Sequence, residues 1–157
     1  MRIGFVIAVL AVMGAPSADA CSRQPHPADS QLFSAAVHVM VARVVGTRLR
    51  QMPHRECEAN GFDGGECAYV EARYELTEVL KGSPRHRGKV RDLVFGPGNC
   101  SLGLLAGFYY VLHIVEDHDF VLHIDGSFPL GPLYGENERQ AIEQIRVYPH
   151  QRPAGGR

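Results

Sequence analysis

Apolar and polar residues alternate with a period of two in several short stretches of this chain, the pattern of half-buried strands. In residues 37–47, Met40, Ala42 and Val44 alternate with Val39, Val41 and Arg43. Both faces of that strand are largely apolar, so it belongs in a closed or doubly covered sheet. A second strand places Val70, Ala72, Tyr74 and Leu76 on one side and Glu71, Arg73, Glu75 and Thr77 on the other. Its parity slips at Glu78, Val79 and Leu80, as a bulge or a sharp barrel corner would cause. Residues 90–95 form a third strand, and 108–115 with 120–124 form a hairpin about residues 116–119.

The intervening stretches carry turn chemistry. Residues 51–65, with Pro53, Asn60-Gly61 and Gly64-Gly65, read as a long loop; 81–84 and 96–99 are turns, and 126–135 is loop. Asp29 or Ser30 can cap a short helix running to about Ala36. Ala141, Ile142 and Ile145 form the apolar stripe of a terminal helix over 136–146. The expected core includes Val39, Val41, Val70, Ala72, Tyr74, Leu76, Val111, Leu122 and Ile142. Five strands with a short N-terminal helix and a C-terminal helix predict a mainly β fold, a five-stranded Greek-key barrel of the oligonucleotide/oligosaccharide-binding type.

The first twenty residues change this picture. Arg2 precedes an unbroken apolar run over 3–13, Gly14 and Pro16 interrupt it, and Ala18-Asp19-Ala20 has the small-x-small form read by signal peptidase. Residues 1–20 are therefore expected to be a signal peptide, with the domain over 21–148 and a disordered tail over 149–157. An apolar run of this length is too short to cross a hydrocarbon core of about 30 Å, so no transmembrane segment is expected. Cleavage leaves Cys21 at the mature N-terminus, where lipidation is conceivable. That reaction wants an apolar residue three before the cysteine and a small neutral one two before, and Ala18 and Asp19 stand there, so plain cleavage is expected. The predicted location is periplasmic or extracellular.

In an oxidising compartment the four cysteines read as two disulfides. The Gly/Asn/Asp loop between Cys57 and Cys67 favours a bridge across it, which leaves Cys21 with Cys100. Sixteen basic residues balance seventeen acidic ones, and neither end carries a charged tail, so nothing points to nucleic acid.

Motifs for catalysis are absent. The chain holds no His-Glu-x-x-His, Gly-x-Ser-x-Gly or phosphate-loop pattern, and Gly96-Pro97-Gly98-Asn99 lacks the lysine a phosphate loop needs. The expectation is a binding module, not an enzyme, with no cofactor. His113, His118 and His123 are spaced by five around the expected hairpin; depending on turn length, His113 and His123 either face each other or lie on opposite faces, and a surface pair without a metal is the preferred reading. Lys81, Arg85, His86, Arg87, Lys89 and Arg91 crowd one turn. They read as a solvated basic loop, with anionic polysaccharide or lipid headgroups as weaker candidates.

Several segments together resemble a known family. Cys21-Ser22, Pro25-His26-Pro27, Phe33-Ser34-Ala35-Ala36 and the strand from Val39 to Val45 are similar in order and spacing to the opening of the tissue inhibitors of metalloproteinases, which are netrin-like domains. Leu76-Thr77-Glu78-Val79-Leu80-Lys81-Gly82 resembles the family's strand-to-turn element. Cys100-Ser101-Leu102-Gly103-Leu104-Leu105-Ala106-Gly107, before Tyr109-Tyr110-Val111-Leu112, resembles its cysteine-containing loop and next strand. The resemblance implies a netrin-like barrel in which Cys21 is bridged to Cys100. It also implies an inhibitory edge at Cys21 and Ser22: the amine and carbonyl of Cys21 would ligate, in trans, the catalytic zinc of a secreted metallopeptidase. Where the family has a second N-terminal cysteine this chain has Arg23, and the partner expected near Asp125 is missing too, as is a third at Ser34. Without a second cysteine-rich domain, the chain resembles the single-domain bacterial members. The alternative function is a structural or adhesive module of the cell envelope with no peptidase partner.

Overall fold

The computed structural model describes residues 29–59, 67–95, 100–115, 119–132 and 136–148. The expected signal peptide, Cys21, Ser22, His118 and the stretch after Pro149 lie outside the described residues.

Helix α1 (Asp29–Ala35) occupies the span its capping signal predicts. Its C-terminal carbonyls are satisfied by one cation: the Lys81 ammonium donates to the carbonyls of Phe33 at 2.8 Å, Ser34 at 2.9 Å and Ala36 at 2.5 Å. A positive charge there also complements the helix dipole.

The chain then enters β1 (His38–Gln51), the central strand. After α2 (His54–Ala59) it returns along β2 (Ala68–Lys81) and continues through β3 (Arg87–Leu93), β4 (Tyr109–Ile114), β5 (Phe128–Gly131) and α3 (Glu136–Arg146). The strands form an open antiparallel sheet in the order β3-β2-β1-β4-β5. Both faces of β1 are covered over residues 39–42, as its two-sided apolar pattern requires. On one face, Met40, Ala42 and Val44 pack with Ala72, Tyr74, Val90, Tyr110 and Leu112 under Leu102, Leu104 and Val121. On the other, Val39, Val41, Val111 and Leu130 pack against Phe33 and Ala36 beside α1 and Ile142 and Ile145 of α3.

The parity slip expected near residues 78–80 is present as register shifts. Val39 pairs with Lys81 but Met40 with Val79, and Val41 with Glu78 but Ala42 with Leu76. Each shift leaves one β2 residue unpaired and lets both segments keep an apolar face inward. A third shift, between Val44 and Gly46, leaves Val45 unpaired on β1.

Three sequence expectations are corrected. The loop read over 51–65 contains α2, whose six residues are too few to display helical periodicity; Glu56 and Cys57 donate back to the Pro53 carbonyl. The hairpin read over 108–115 and 120–124 does not form. Phe120 makes a parallel bridge to Arg91 of β3, Leu122 bridges Ser101, and β4 pairs instead with β5, inside the stretch read as loop. Because Phe120 and Leu122 face these other partners, Val121 is the fully buried residue and Leu122 is only partly buried. Val70 and Leu76 are also partly buried, and the other six expected core residues are buried.

Candidate functional site around Cys100

Two consecutive residues of β3 organise one end of the sheet. Arg91 points to one side, where it pairs with Glu56 of α2 and with Asp119. Its guanidinium lies 4.3 Å from the Phe120 ring centre and 5.5 Å from that of Tyr69. Around it, Met52, Cys57 and Phe120 form a small cluster with Cys67, Tyr69 and Leu93. The Cys57–Cys67 disulfide, with its Cα atoms 5.9 Å apart, fastens α2 to the start of β2, as the loop composition predicts. The Met52 amide donates to the Cys67 carbonyl at 2.8 Å beside it.

Asp92, next along β3, points to the other side and is completely buried. Its carboxylate accepts from the backbone amides of Leu102 at 3.1 Å and Leu104 at 3.2 Å. The Ser101 hydroxyl lies 3.1 Å from the same carboxylate and 2.9 Å from the Leu93 carbonyl, and its oxygen accepts from the Gly103 amide. Burial raises the Asp92 pKa, although the hydrogen bonds from Leu102, Leu104 and Ser101 act against the rise. Tyr110 of β4 completes the clamp. Its hydroxyl accepts from the Leu105 amide at 2.8 Å and donates to the Gly103 carbonyl at 3.2 Å. The Cys100 carbonyl in turn accepts from the His123 amide at 3.3 Å.

The segment following Cys100 is thus a loop whose backbone donors are met by buried side chains, which gives it the rigidity of a strand. Gly103 adopts φ 65°, a left-handed conformation that suits glycine. Beside this loop, Phe95 is 83% exposed and Leu105 54% exposed, with Val94 also exposed.

Of the site residues expected from sequence, Cys100, Cys57 and Cys67 are described. Cys100 is partly buried at the start of the clamped loop. Cys21 and Ser22, the expected inhibitory edge, lie outside the described residues, and with them the Cys21–Cys100 bridge. His113 and His123 do not face each other: His113 is buried and lines a cavity shared with Asp29 of α1 and Ile145 of α3, whereas His123 is exposed in a 3-10 turn. Among the described residues no group of three His, Cys, Asp or Glu side chains could hold a metal ion. The basic turn is dispersed as well. Lys81 turns inward to cap α1, Arg91 is sandwiched at the disulfide end, and Arg87 and Lys89 pair with Glu75 and Glu71.

Asp92 and Tyr110 are the residues that sequence reasoning passes over. Asp92 shares inward parity with Val90 in its strand, and a carboxylate on the apolar side of a strand is the signal that could have marked it. Among the described residues no helix is long and apolar enough to cross a membrane. No protein-family model matches the chain, and comparison with curated proteins finds none similar to it.

Proposed function

We propose that the chain is an exported binding module that inhibits a secreted zinc metallopeptidase through its N-terminus, with Cys21 bridged to Cys100. The observation that carries this reading is the clamped loop after Cys100. A terminal cysteine fixed to a loop held by Asp92 and Tyr110 loses little further freedom on binding, and a pre-ordered edge binds more tightly than a mobile one. Cys21 would present its amine and carbonyl to a catalytic zinc, which keeps a coordination position open for substrate water. An α-amine with a pKa near 8 gives up its proton at modest cost for that purpose. Ser22 would enter the pocket beyond the metal, and Phe95 and Leu105 would supply apolar anchors beside it.

The netrin-like barrel belongs to the same proposal. The parallel bridge between Arg91 and Phe120 brings the segment after β4 alongside β3, as a sheet curling toward closure would. Arg23 in place of a second cysteine leaves one fewer bridge in the edge, so inhibition is narrow in range. The reading is tested by binding the mature protein to a panel of secreted zinc endopeptidases with and without a zinc-chelating hydroxamate. Binding to at least one member, displaced by the hydroxamate, is expected. Binding that the hydroxamate leaves unchanged overturns the zinc-directed edge; no binding to any member leaves the envelope-module reading.

A further inference from the structure

The helices α1 and α3 cover only half of their face of the sheet. Beyond Val41, that face continues as a charged surface whose rows follow from the strand register. Arg43 lies opposite Glu75, Gly46 opposite Arg73, and Arg48 opposite Glu71 on β1 and β2; Glu75, Arg73 and Glu71 in turn lie opposite Arg87, Lys89 and Arg91 on β3. Directly opposed residues share a face, so Arg43, Arg48, Arg73, Arg87 and Lys89 stand together with Glu71 and Glu75 as the carboxylates between them. All five cations are exposed.

At the middle of this surface is an open groove of about 430 Å³ lined by Gly46, Thr47, Arg48, Glu71, Arg73 and Lys89. Glu71 is a positioning group: its side chain is only 12% exposed and it accepts from Arg48 Nε at 2.6 Å and Lys89 Nζ at 3.3 Å. The Arg48 hydrogen bond, aided by Lys89 and opposed by desolvation, lowers the Glu71 pKa. One carboxylate shared by three cations, Arg50 Nε also lying 3.9 Å away, leaves the group with positive charge to spare. Arg73 adds more, because among the described residues no carboxylate pairs with it. Its guanidinium lies across the space a side chain at position 46 would fill, 3.0 Å from where a Cβ on Gly46 would be.

We propose that this half-face binds an acidic polysaccharide, with Arg73, Lys89 and Arg48 taking its sulfate or carboxylate groups in the groove. Arg87 and Lys89 stand two residues apart on β3, about 6–7 Å, and Arg73 lies directly opposite Lys89 on β2, a spacing that meets a polymer bearing one anion on each sugar or on alternate sugars. Single-stranded nucleic acid carries charge at a similar interval but needs exposed rings on which bases can stack. The two tyrosines on this face are covered: Arg43 lies over Tyr109 and Arg91 over Tyr69. Guanidinium and ammonium groups with no base platform fit a sugar polymer recognised by its anions.

The test measures binding of the full mature chain to dextran sulfate, to neutral dextran and to oligo(dT) of similar length, as a function of salt. Dextran sulfate is expected to bind and neutral dextran not to bind. A double variant, R73A with K89A, should weaken binding at least tenfold at an unchanged melting temperature and lower the salt slope by about one to two. A control double variant, R85A with R139A, removes the same charge elsewhere: Arg139 is an exposed residue of α3, and Arg85 acts on Tyr74, whose side chain packs in the core on the opposite face. It should stay within twofold of the parent. G46A, whose new methyl displaces the Arg73 guanidinium, should weaken binding severalfold. Equal losses in the two double variants would reduce the surface to net charge and overturn the groove, and tighter binding to oligo(dT) than to dextran sulfate would overturn the choice of polymer.

Discussion

Replacing Asp92 with alanine removes the acceptor for two buried backbone amides, those of Leu102 and Leu104, at 3.1 and 3.2 Å. The Ser101 hydroxyl is not orphaned, because the Leu93 carbonyl lies 2.9 Å away. An unsatisfied buried donor costs about 1–3 kcal/mol, so the two amides together give roughly 2–6 kcal/mol. Removing a fully buried carboxylate relieves some desolvation, the cause that raises its pKa, and this offsets part of the loss. The net expectation is about 2–4 kcal/mol. Asp92→Asn keeps one acceptor oxygen for one amide and turns an NH2 toward the other, so its cost is intermediate. Urea unfolding gives the global change. Amide exchange gives the local one, and the two separate cleanly: if the loop opens before the sheet does, protection at Leu102 and Leu104 falls further than the global stability. Stability of Asp92→Ala within 0.5 kcal/mol of the parent, together with unchanged exchange at both amides, would show that the carboxylate does not hold the Cys100 loop.

Two further outcomes follow from buried and half-buried groups. His113 is held neutral, its pKa lowered to about 4 by burial and by Lys81 while Asp29 acts the other way; among the described residues its Nδ1 has no hydrogen-bond partner. The unfolded chain takes up this proton near pH 6.5 and the folded chain only near 4, so stability falls as pH drops through that window, by roughly 3 kcal/mol; the difference between parent and His113→Leu urea profiles should show this slope, and parallel profiles would refute it. Lys81→Met removes the shared donor of the Phe33, Ser34 and Ala36 carbonyls and should cost about 1.5–3 kcal/mol, read by thermal melting; a change below 0.5 kcal/mol would mean that water replaces the ammonium.

The strand pattern was legible where each side chain faces a single environment. β1 shows its two covered faces in the alternation of Val39 to Val44, and the slip at Glu78 to Leu80 marks the β2 bulges. The α3 stripe of Ile142 and Ile145 gives that helix its span. The reading failed where a segment chooses between partners at a distance. Phe120 to Leu122 have strand composition, but nothing local says that they meet Arg91 and Ser101 instead of β4, and the one-residue shift that follows exchanges Leu122 for Val121 in the core. β5 was missed because Pro129 and the flanking glycines look like loop, and such residues are tolerated at a sheet edge. The expected cysteine bridge at Cys57 and Cys67 was readable from loop composition. Asp92, by contrast, becomes functional only through amides ten and twelve residues away, a relation that no local pattern carries. The basic groove is of the same kind: Arg48, Arg73 and Lys89 come from three strands and converge only through register.

The most direct test of the inhibitory edge compares the mature protein beginning at Cys21 with a version carrying one additional alanine before it, assayed against secreted zinc endopeptidases. On the proposed edge the extension would move the free amine away from the position that a bridge to Cys100 would fix, and it turns the Cys21 nitrogen into an amide that cannot ligate zinc as an amine. The mature form is expected to inhibit at least one peptidase, and the extended form to lose that inhibition by a factor of a hundred or more, about 2.7 kcal/mol in binding. Equal inhibition by both forms, or none by either, would contradict the account.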